Sequence, residues 1–494
     1  MSTTVIDRPS AVITSPRPVN PWLVLVIACL AQFMVVLDAT VVNIALPSVQ
    51  RGLHFSSTDL QWVVNAYTLI FGGFLLLGGR AADLIGRKRL FIAGVILFSA
   101  ASLLNGLAQS SGMLIAGRGL QGLGGALVSP AALSIVTTTF TDGKQRTRAL
   151  GVWSAIAASG AAVGLLMGGI LTDIASWRWV FFVNVPVGVV TIALALRYVA
   201  ESRVQVSHRS FDIAGAVAVT SGLVVLVYAI VKAQAFGWGS GRTLGLLAVA
   251  VALLAAFVAI ERRSKAPLMR LSIFKVRALT VADVSLLLVA SGMFGMFFFA
   301  SLYVQQVLGY SPLQAGLAFL PVSAGIVIGA GLSQQLIRRI GVRNMGVVGV
   351  TLAAAGMVVL TQLPVHGSYV SDLLVGLLPL SIGLGLAFVP ITLLGTGGVR
   401  ADDAGLASGL FNTAQQVGGS LGLAILSTLA ATQTTNLLHD GGTGPLAARV
   451  SGYHVAFAAA AIMLAGAALL MAFGLRKRDL REVESQVATS PSPA

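Results

Sequence analysis

The chain has 494 residues, 56% of them hydrophobic and 10% charged, with a mean hydropathy of +0.89. Soluble domains carry about 25% charged residues, so this composition excludes a water-soluble domain and points to a polytopic membrane protein. The formal net charge of +15 does not signal nucleic acid, because the basic residues sit in short links between apolar runs.

Fourteen apolar runs follow one another, at roughly 22–46, 61–79, 90–109, 113–139, 148–171, 178–198, 212–235, 243–260, 279–305, 312–337, 344–363, 370–396, 404–430 and 452–475. Most reach the length a helix needs to cross a hydrocarbon core of about 30 Å. Helices also satisfy every backbone group inside lipid. The expected fold class is therefore all-α and polytopic, with 14 transmembrane helices. The first run is too long for the apolar core of a leader peptide, so no cleavable leader is expected, and residues 1–20 read as a flexible tail. The one cysteine, Cys29, lies inside that run, which rules out an intramolecular disulfide.

The first run also carries Asp38. A carboxylate at this depth costs several kcal/mol unless it is paired, hydrated or protonated, and is a functional-site hypothesis by default. With the run ending at 46, Asp38 lies about 12 Å from that end at helical rise, too deep for its short side chain to reach water.

Charge alternates from link to link. Basic residues crowd segments 80–89, 144–148, 197–209, 262–277, 338–343 and 476–481, whereas the intervening links hold only Arg51, Arg178, Lys232, Arg242 and Arg449. The positive-inside rule then places both termini in the cytoplasm, with the chain in the inner (plasma) membrane of the cell. An internal repeat is also visible. Gly86-Arg87-Lys88 after run 2 has a counterpart in Gly341-Val342-Arg343 after run 10, and Gly164 and Gly168 correspond to Gly418 and Gly422. The expected organisation is a tail (1–20), a six-helix half (21–199), an inserted two-helix pair with charged linkers (200–277), a second six-helix half (278–476) and a tail (477–494).

Several segments carry a specific resemblance. Gly79-Arg80-Ala81-Ala82-Asp83-Leu84-Ile85-Gly86-Arg87-Lys88-Arg89 resembles the signature loop between spans 2 and 3 of the major facilitator superfamily. That resemblance gives Gly79, Asp83, Gly86 and Arg87 a role in latching the two halves and gating. A plain cytoplasmic anchor is the other reading of the same basic cluster. Gly117-Arg118-Gly119-Leu120-Gln121-Gly122 resembles the superfamily's span-4 motif, whose arginine is linked to proton transfer. Asp38 and Arg118 are expected to share one cavity and to be coupled; a snorkelling Arg118 that touches nothing is the alternative. Gly160, Gly164, Gly168 and Gly169 of span 5 are spaced like the antiporter motif of exporters in this superfamily, but Leu165 stands where the family has proline. These glycines suit close helix packing as well as gating. The span-1 segment 37–47, Gln61-Trp62 with Tyr67, segment 177–188 and Gly405 to Gly422 resemble the fourteen-span drug:proton antiporter group.

The resemblance implies a major facilitator fold of 6+2+6 spans and a proton-coupled secondary transporter. Such a protein would export hydrophobic or cationic drugs, or a related metabolite, by alternating access, as a monomer and not as an enzyme. A proton carrier needs a deep titratable group. All five histidines lie in loops or near span ends, and Asp283 is expected within reach of the interface, which leaves Asp38. A neighbouring arginine favours the ionised carboxylate and burial favours the neutral acid, so Arg118 tunes that balance. No phosphate-binding loop or metal-ligand cluster is present, so no cofactor is expected beyond the proton gradient. Amphiphilic cargo needs an apolar cavity with a few polar contacts; Asn43, Tyr67, Gln121, Trp153, Phe298, Gln305, Phe388, Asn412 and Gln415 are the candidate lining residues. An importer or a dedicated metabolite carrier on the same fold is the alternative, kept open by Leu165.

Overall fold

A computed structural model describes residues 20–203, 212–264, 267–397, 399, 403–476 and 478–480. The expected tails, 1–20 and 477–494, fall almost entirely outside the described residues, as do Arg209 and Lys265 of the basic links.

Among the described residues, fourteen helices are long and apolar enough to cross a membrane: α1 (Pro21–Leu53), α2 (Trp62–Ile85), α3 (Arg87–Gly106), α4 (Ser111–Thr139), α5 (Gly143–Ile174), α6 (Trp179–Tyr198), α7 (Ile213–Phe236), α8 (Gly241–Arg263), α9 (Arg277–Val307), α10 (Pro312–Ile340), α11 (Val342–Leu360), α12 (Tyr369–Thr396), α13 (Ala404–His439) and α14 (Pro445–Gly474). Local chemistry sets their ends. Ser110, Asp142, Asp212, Ser240 and Ser311 accept hydrogen bonds from the first-turn amides of α4, α5, α7, α8 and α10. Gly86 and Gly341 end α2 and α10 at φ +126° and +83°, a conformation costly for residues with a Cβ. These two turns are the pair that the sequence repeat aligned.

Several expected boundaries shift, and one of them bears on the buried acid. α1 does not stop near 46 but runs through Pro47 to Leu53. Asp38 is thus mid-helix, 15 residues before the end, roughly 22 Å along the axis. α6 is interrupted at Val183, two helical segments meeting there before Pro186.

The chain forms two six-helix groups, α1–α6 and α9–α14, each packed mainly within itself. The pair α7–α8 packs on α2 and α13, at the flank where the groups meet. Lys232 of α7 pairs with Asp59 of the α1–α2 link at 2.8 Å, and Thr428 of α13 donates to the Ile230 carbonyl at 3.3 Å. Successive helices run antiparallel, so Asn20 and Leu480 lie on one face, here the terminal face; the opposite one is the far face.

Between the halves, contacts on the far face are polar and close. Ser301 and Gln305 of α9 donate to the Asn43 and Ile44 carbonyls of α1 at 2.8 and 2.9 Å, and Gln306 bonds Gln50 at 2.9 Å. Gly169 of α5 lies against Pro312 and Leu313, and Gly316 against Leu165. α2 and α13 meet along their length through Thr68 with Ser420 and through Thr413 with the Gly72 carbonyl.

Candidate functional site: a buried acid held by four helices

Asp38 is 0% exposed and Arg118 1%. The two meet directly: Arg118 Nη1 lies 2.5 Å from Asp38 Oδ2. Gln121 Nε2 donates to Oδ1 at 2.8 Å and Asn184 Nδ2 to the same oxygen at 3.0 Å. An ionised carboxylate therefore has a cation on one oxygen and two amide donors on the other, with the site drawn from α1, α4 and α6. This excludes the snorkelling alternative for Arg118.

The arginine is itself engaged through Nε and Nη1. Its Nε donates to the Val63 carbonyl of α2 at 2.9 Å, its Nη1 also reaches Gln121 Oε1 at 2.9 Å, and its plane lies 4.3 Å from the Tyr67 ring. Around this core, Asn105 of α3 donates to Gln121 Oε1 at 2.7 Å, and Ser102 receives Asn184 at 3.0 Å while donating to the Phe181 carbonyl at 2.8 Å. Helical register explains the convergence. Arg118 and Gln121 are three apart on one face of α4, as are Ser102 and Asn105 on α3. The break in α6 starts a new segment at Asn184 and aims it at Asp38.

The expected coupling is direct, but the expectation of a shared cavity is corrected. The pair is sealed among α1, α2, α4 and α6: α2, α4 and α6 supply its hydrogen-bond partners, and almost no surface is left exposed. Tyr67 and Gln121 are buried in this network and do not line open space; Tyr67 roofs the guanidinium and Gln121 binds the acid. Phe298 is also buried, edge-on to Phe299 within the second half. Gln305 sits at the contact between halves, and Asn43 turns its amide back onto the Ala39 and Thr40 carbonyls. Trp153 is half-buried against the first-half core. Phe388 is 45% exposed and edge-on to Phe411, Asn412 is exposed, and Gln415 is half-buried. These nine residues do not converge on one site. An apolar cavity of about 260 Å³ lies between α1 and α5 near the terminal face, lined by Trp22, Leu25, Val26, Cys29, Leu30, Phe33, Val152 and Ile156.

The turn 79–89 is held by its own half. Arg87 pairs with Asp83 at 2.8 Å, its amide donates to the Ser202 carbonyl at 3.0 Å, and Glu201 accepts from the amides of Lys88 and Arg89 at 3.2 Å each. Glu201, just beyond α6, is thus the acid at the N-terminus of α3. A side chain at Gly86 would strike that carboxylate, and Gly79 packs toward Pro130. These bonds do not form the cross-half latch that the resemblance implied. The span-5 glycines divide by position. Gly160, Gly164 and Gly168 pack on residues 33–41 of α1, whereas Gly169 faces the second half. Asp283, expected near the interface, is 5% exposed inside the second half.

Sequence reasoning missed Asn184 as a partner of the acid, and Ser102 and Asn105 as the residues that hold Asn184 and Gln121. Asn184 stands inside segment 177–188, and all three are polar residues in otherwise apolar spans; that was the available signal.

Residues 28–423 match the family model described as Major Facilitator Superfamily. The chain is 42% identical to the puromycin resistance protein pur8 of Streptomyces alboniger, over 93% of this chain and 92% of that protein. It is 39% identical to the cephamycin export protein CmcT of Amycolatopsis lactamdurans, over 90% and 91% of the two. In fold it is similar to a bacterial homolog of the human lysosomal transporter Spinster, with a TM-score of 0.66 at 16% identity over 94% of this chain and 99% of that one. The fourteen-helix architecture, the family match and the full-length similarity to antibiotic resistance and export proteins agree: the chain is a multi-pass membrane transporter and belongs to the major facilitator superfamily.

Proposed function

We propose that this transporter is a proton-coupled exporter of hydrophobic or cationic drug-like molecules, working by alternating access as a monomer. Both termini face the cytoplasm of the inner membrane, as the basic links on the terminal face suggest. The six-helix halves span 21–199 and 278–476, with 200–277 inserted. The observation that carries the reading is the Asp38–Arg118 pair, a titratable group and its counter-charge at mid-helix with all partners from one half. The names of relatives support the direction: a puromycin resistance protein, a cephamycin export protein and a multidrug resistance protein, Stp of Mycobacterium tuberculosis, 37% identical over 83% of this chain.

In the observed packing both carboxylate oxygens accept hydrogen bonds from donors that favour the ionised form. A proton arriving from outside neutralises Asp38 and weakens its hold on Arg118, which loosens α1 from α4 and releases cargo. Loss of the proton inside restores the pair and permits rebinding. Energy comes from the proton gradient, with no other cofactor.

The test is drug susceptibility of a pump-deficient host carrying wild type or Asp38→Asn, with and without an uncoupler. Wild type raises resistance and the uncoupler removes it; Asp38→Asn reaches the membrane but confers none. Full resistance from Asp38→Asn rejects the role of this acid. A second reading, an importer or a carrier dedicated to one metabolite, rests on Leu165, which keeps α5 uninterrupted where exporters of the family have proline. Dye movement in vesicles of known orientation separates the directions.

A further inference from the structure

The second half carries a carboxylate that the site above does not use. Asp283 is six residues into α9, and neither of its oxygens has a hydrogen-bond partner among the described residues. Register places it against α13. One turn on, Leu287 lies with its backbone on Gly418 of α13; one turn back, Leu279 clusters with Ala407 and Leu410 of the same helix. Asp283 therefore sits in the α9–α13 seam between two apolar contacts.

Among the described residues, the elements packed on α9 bring Asp283 no counter-charge; α10, which meets α9 through Tyr303–Val307, carries Arg338 and Arg339 at its opposite end. α13 has no Asp, Glu, Lys or Arg from Ala404 to Leu438. α12 carries Tyr369 and Asp372, and α14 carries Arg449, Tyr453 and His454, all toward the far face. α1 contributes Cys29, with Asp38 engaged by Arg118 and Arg51 at its far end. On the turn Leu271–Lys275, Lys275 is exposed; Arg270 before it pairs with Asp403 at 3.3 Å, and Arg277 donates to the Gly474 carbonyl at 2.5 Å. An ionised carboxylate without donors in such a seam is strongly disfavoured, whereas the neutral acid is tolerated.

We infer that Asp283 is a second proton site, holding a proton as the un-ionised acid in the observed packing. When water enters the α9–α13 seam from the terminal face, the O–H bond breaks, the proton passes to water and the electron pair stays on the carboxylate. Protonation itself stands independently of the proposed function. Its consequence, a second proton carried per cycle, rests on that reading.

Infrared spectroscopy of the purified full-length protein at neutral pH, in H₂O and D₂O, tests the site. Wild type shows a deuterium-sensitive carbonyl stretch of an un-ionised carboxylic acid, which Asp38→Asn keeps and Asp283→Asn loses. A spectrum unchanged in Asp283→Asn, or no such band in wild type, overturns the inference. Asp283→Leu suits an apolar seam and gives the same readout should the amide variant fold poorly. In proteoliposomes with puromycin as the transported probe, the proton-to-puromycin ratio falls about twofold in Asp283→Asn, as expected when one of two intramembrane acids is removed. An unchanged ratio overturns the second carried proton. If instead Asp38→Asn leaves both fluxes intact, the proposed function fails while the infrared assignment stands.

Discussion

Replacing Arg118 by methionine isolates the charge at the heart of the buried site. Asp38 would keep Gln121 at 2.8 Å and Asn184 at 3.0 Å, but would lose its cationic partner at 2.5 Å. Breaking a fully buried ion pair from one side costs about 3–5 kcal/mol, because the surviving charge is left uncompensated. Asp38→Asn should fall at the lower end of that range, since Arg118 retains the Val63 carbonyl, Gln121 and the Tyr67 ring. The double variant Asp38→Asn/Arg118→Met removes both charges. Its cost should be smaller than the sum of the two single costs by roughly 2–3 kcal/mol, the upper part of the range for residues in direct contact. Equilibrium unfolding of the purified protein at neutral pH measures all three. The Arg118→Met deficit should also shrink as pH falls, because protonation of Asp38 removes the uncompensated charge. Additivity within about 0.5 kcal/mol, together with a deficit that does not change with pH, would show that packing and not charge holds α1 to α4.

Three further outcomes follow from the same geometry. In Gly168→Leu the new Cβ would lie 2.6 Å from the Val41 carbonyl oxygen, so α5 must back away from α1 at a cost of about 1–3 kcal/mol; drug efflux should drop with the protein still in the membrane, and normal efflux would refute a role for this ridge. Gly86→Ala forces a Cβ onto φ +126° and to within 2.6 Å of Glu201 Oε1; at about 1–3 kcal/mol of backbone strain, the turn between α2 and α3 should be cleaved faster in limited proteolysis. Asn184→Ala removes one donor to an ionised acceptor, worth about 1.5–3 kcal/mol, and a lower melting temperature should result; in an Asp38→Leu background most of that cost should vanish, and its persistence would assign Asn184 to packing alone.

What the sequence revealed, and what it hid, follows from which interactions are local. An acid and an arginine inside apolar runs are expensive alone, and that cost made Asp38 and Arg118 legible as partners. Gln121 was legible as a polar residue but not as a ligand of the acid, although its three-residue spacing from Arg118 puts both on one face. Asn184 was hidden because which helix meets α1 at that depth is decided by tertiary packing of α3 and α6, and periodicity carries no record of it. The end of α1 was hidden too. The apolar run stops at 46, yet α1 continues through Pro47 to Leu53, because neighbouring groups at the contact between halves take up the freed backbone: the Asn43 and Ile44 carbonyls receive Ser301 and Gln305. The cargo residues were least legible. α9 is apolar on nearly every face, so an aromatic such as Phe298 offers no pattern that separates core from cavity.

The same stretch of α1 carries three functions at successive turns, and this suggests how a sealed acid could be opened. Residues 33–41 receive the glycine ridge of α5 on one face, Asp38 meets α4 and α6 on another, and Asn43 to Gln50 hold the second half on the far face. Gly164 and Gly168 bring the α5 backbone against Leu37, Thr40 and Val41, so at that level the two helices are in backbone-close contact and shift together. A rocking motion that parts the far-face bonds must therefore move α1 as a body, and a body movement of α1 shifts Asp38 against Arg118. Protonation state and far-face closure are then two readings of one helix position. Site-directed crosslinking between Gln50→Cys and Gln306→Cys, whose native side chains bond at 2.9 Å, tests this in a cysteine-free Cys29→Ala background. Asp38→Asn should change the yield of that crosslink even though the acid is about 18 Å along α1 from Gln50 at helical rise. A yield equal to that of the parent would mean that the proton site and the far-face contact move independently.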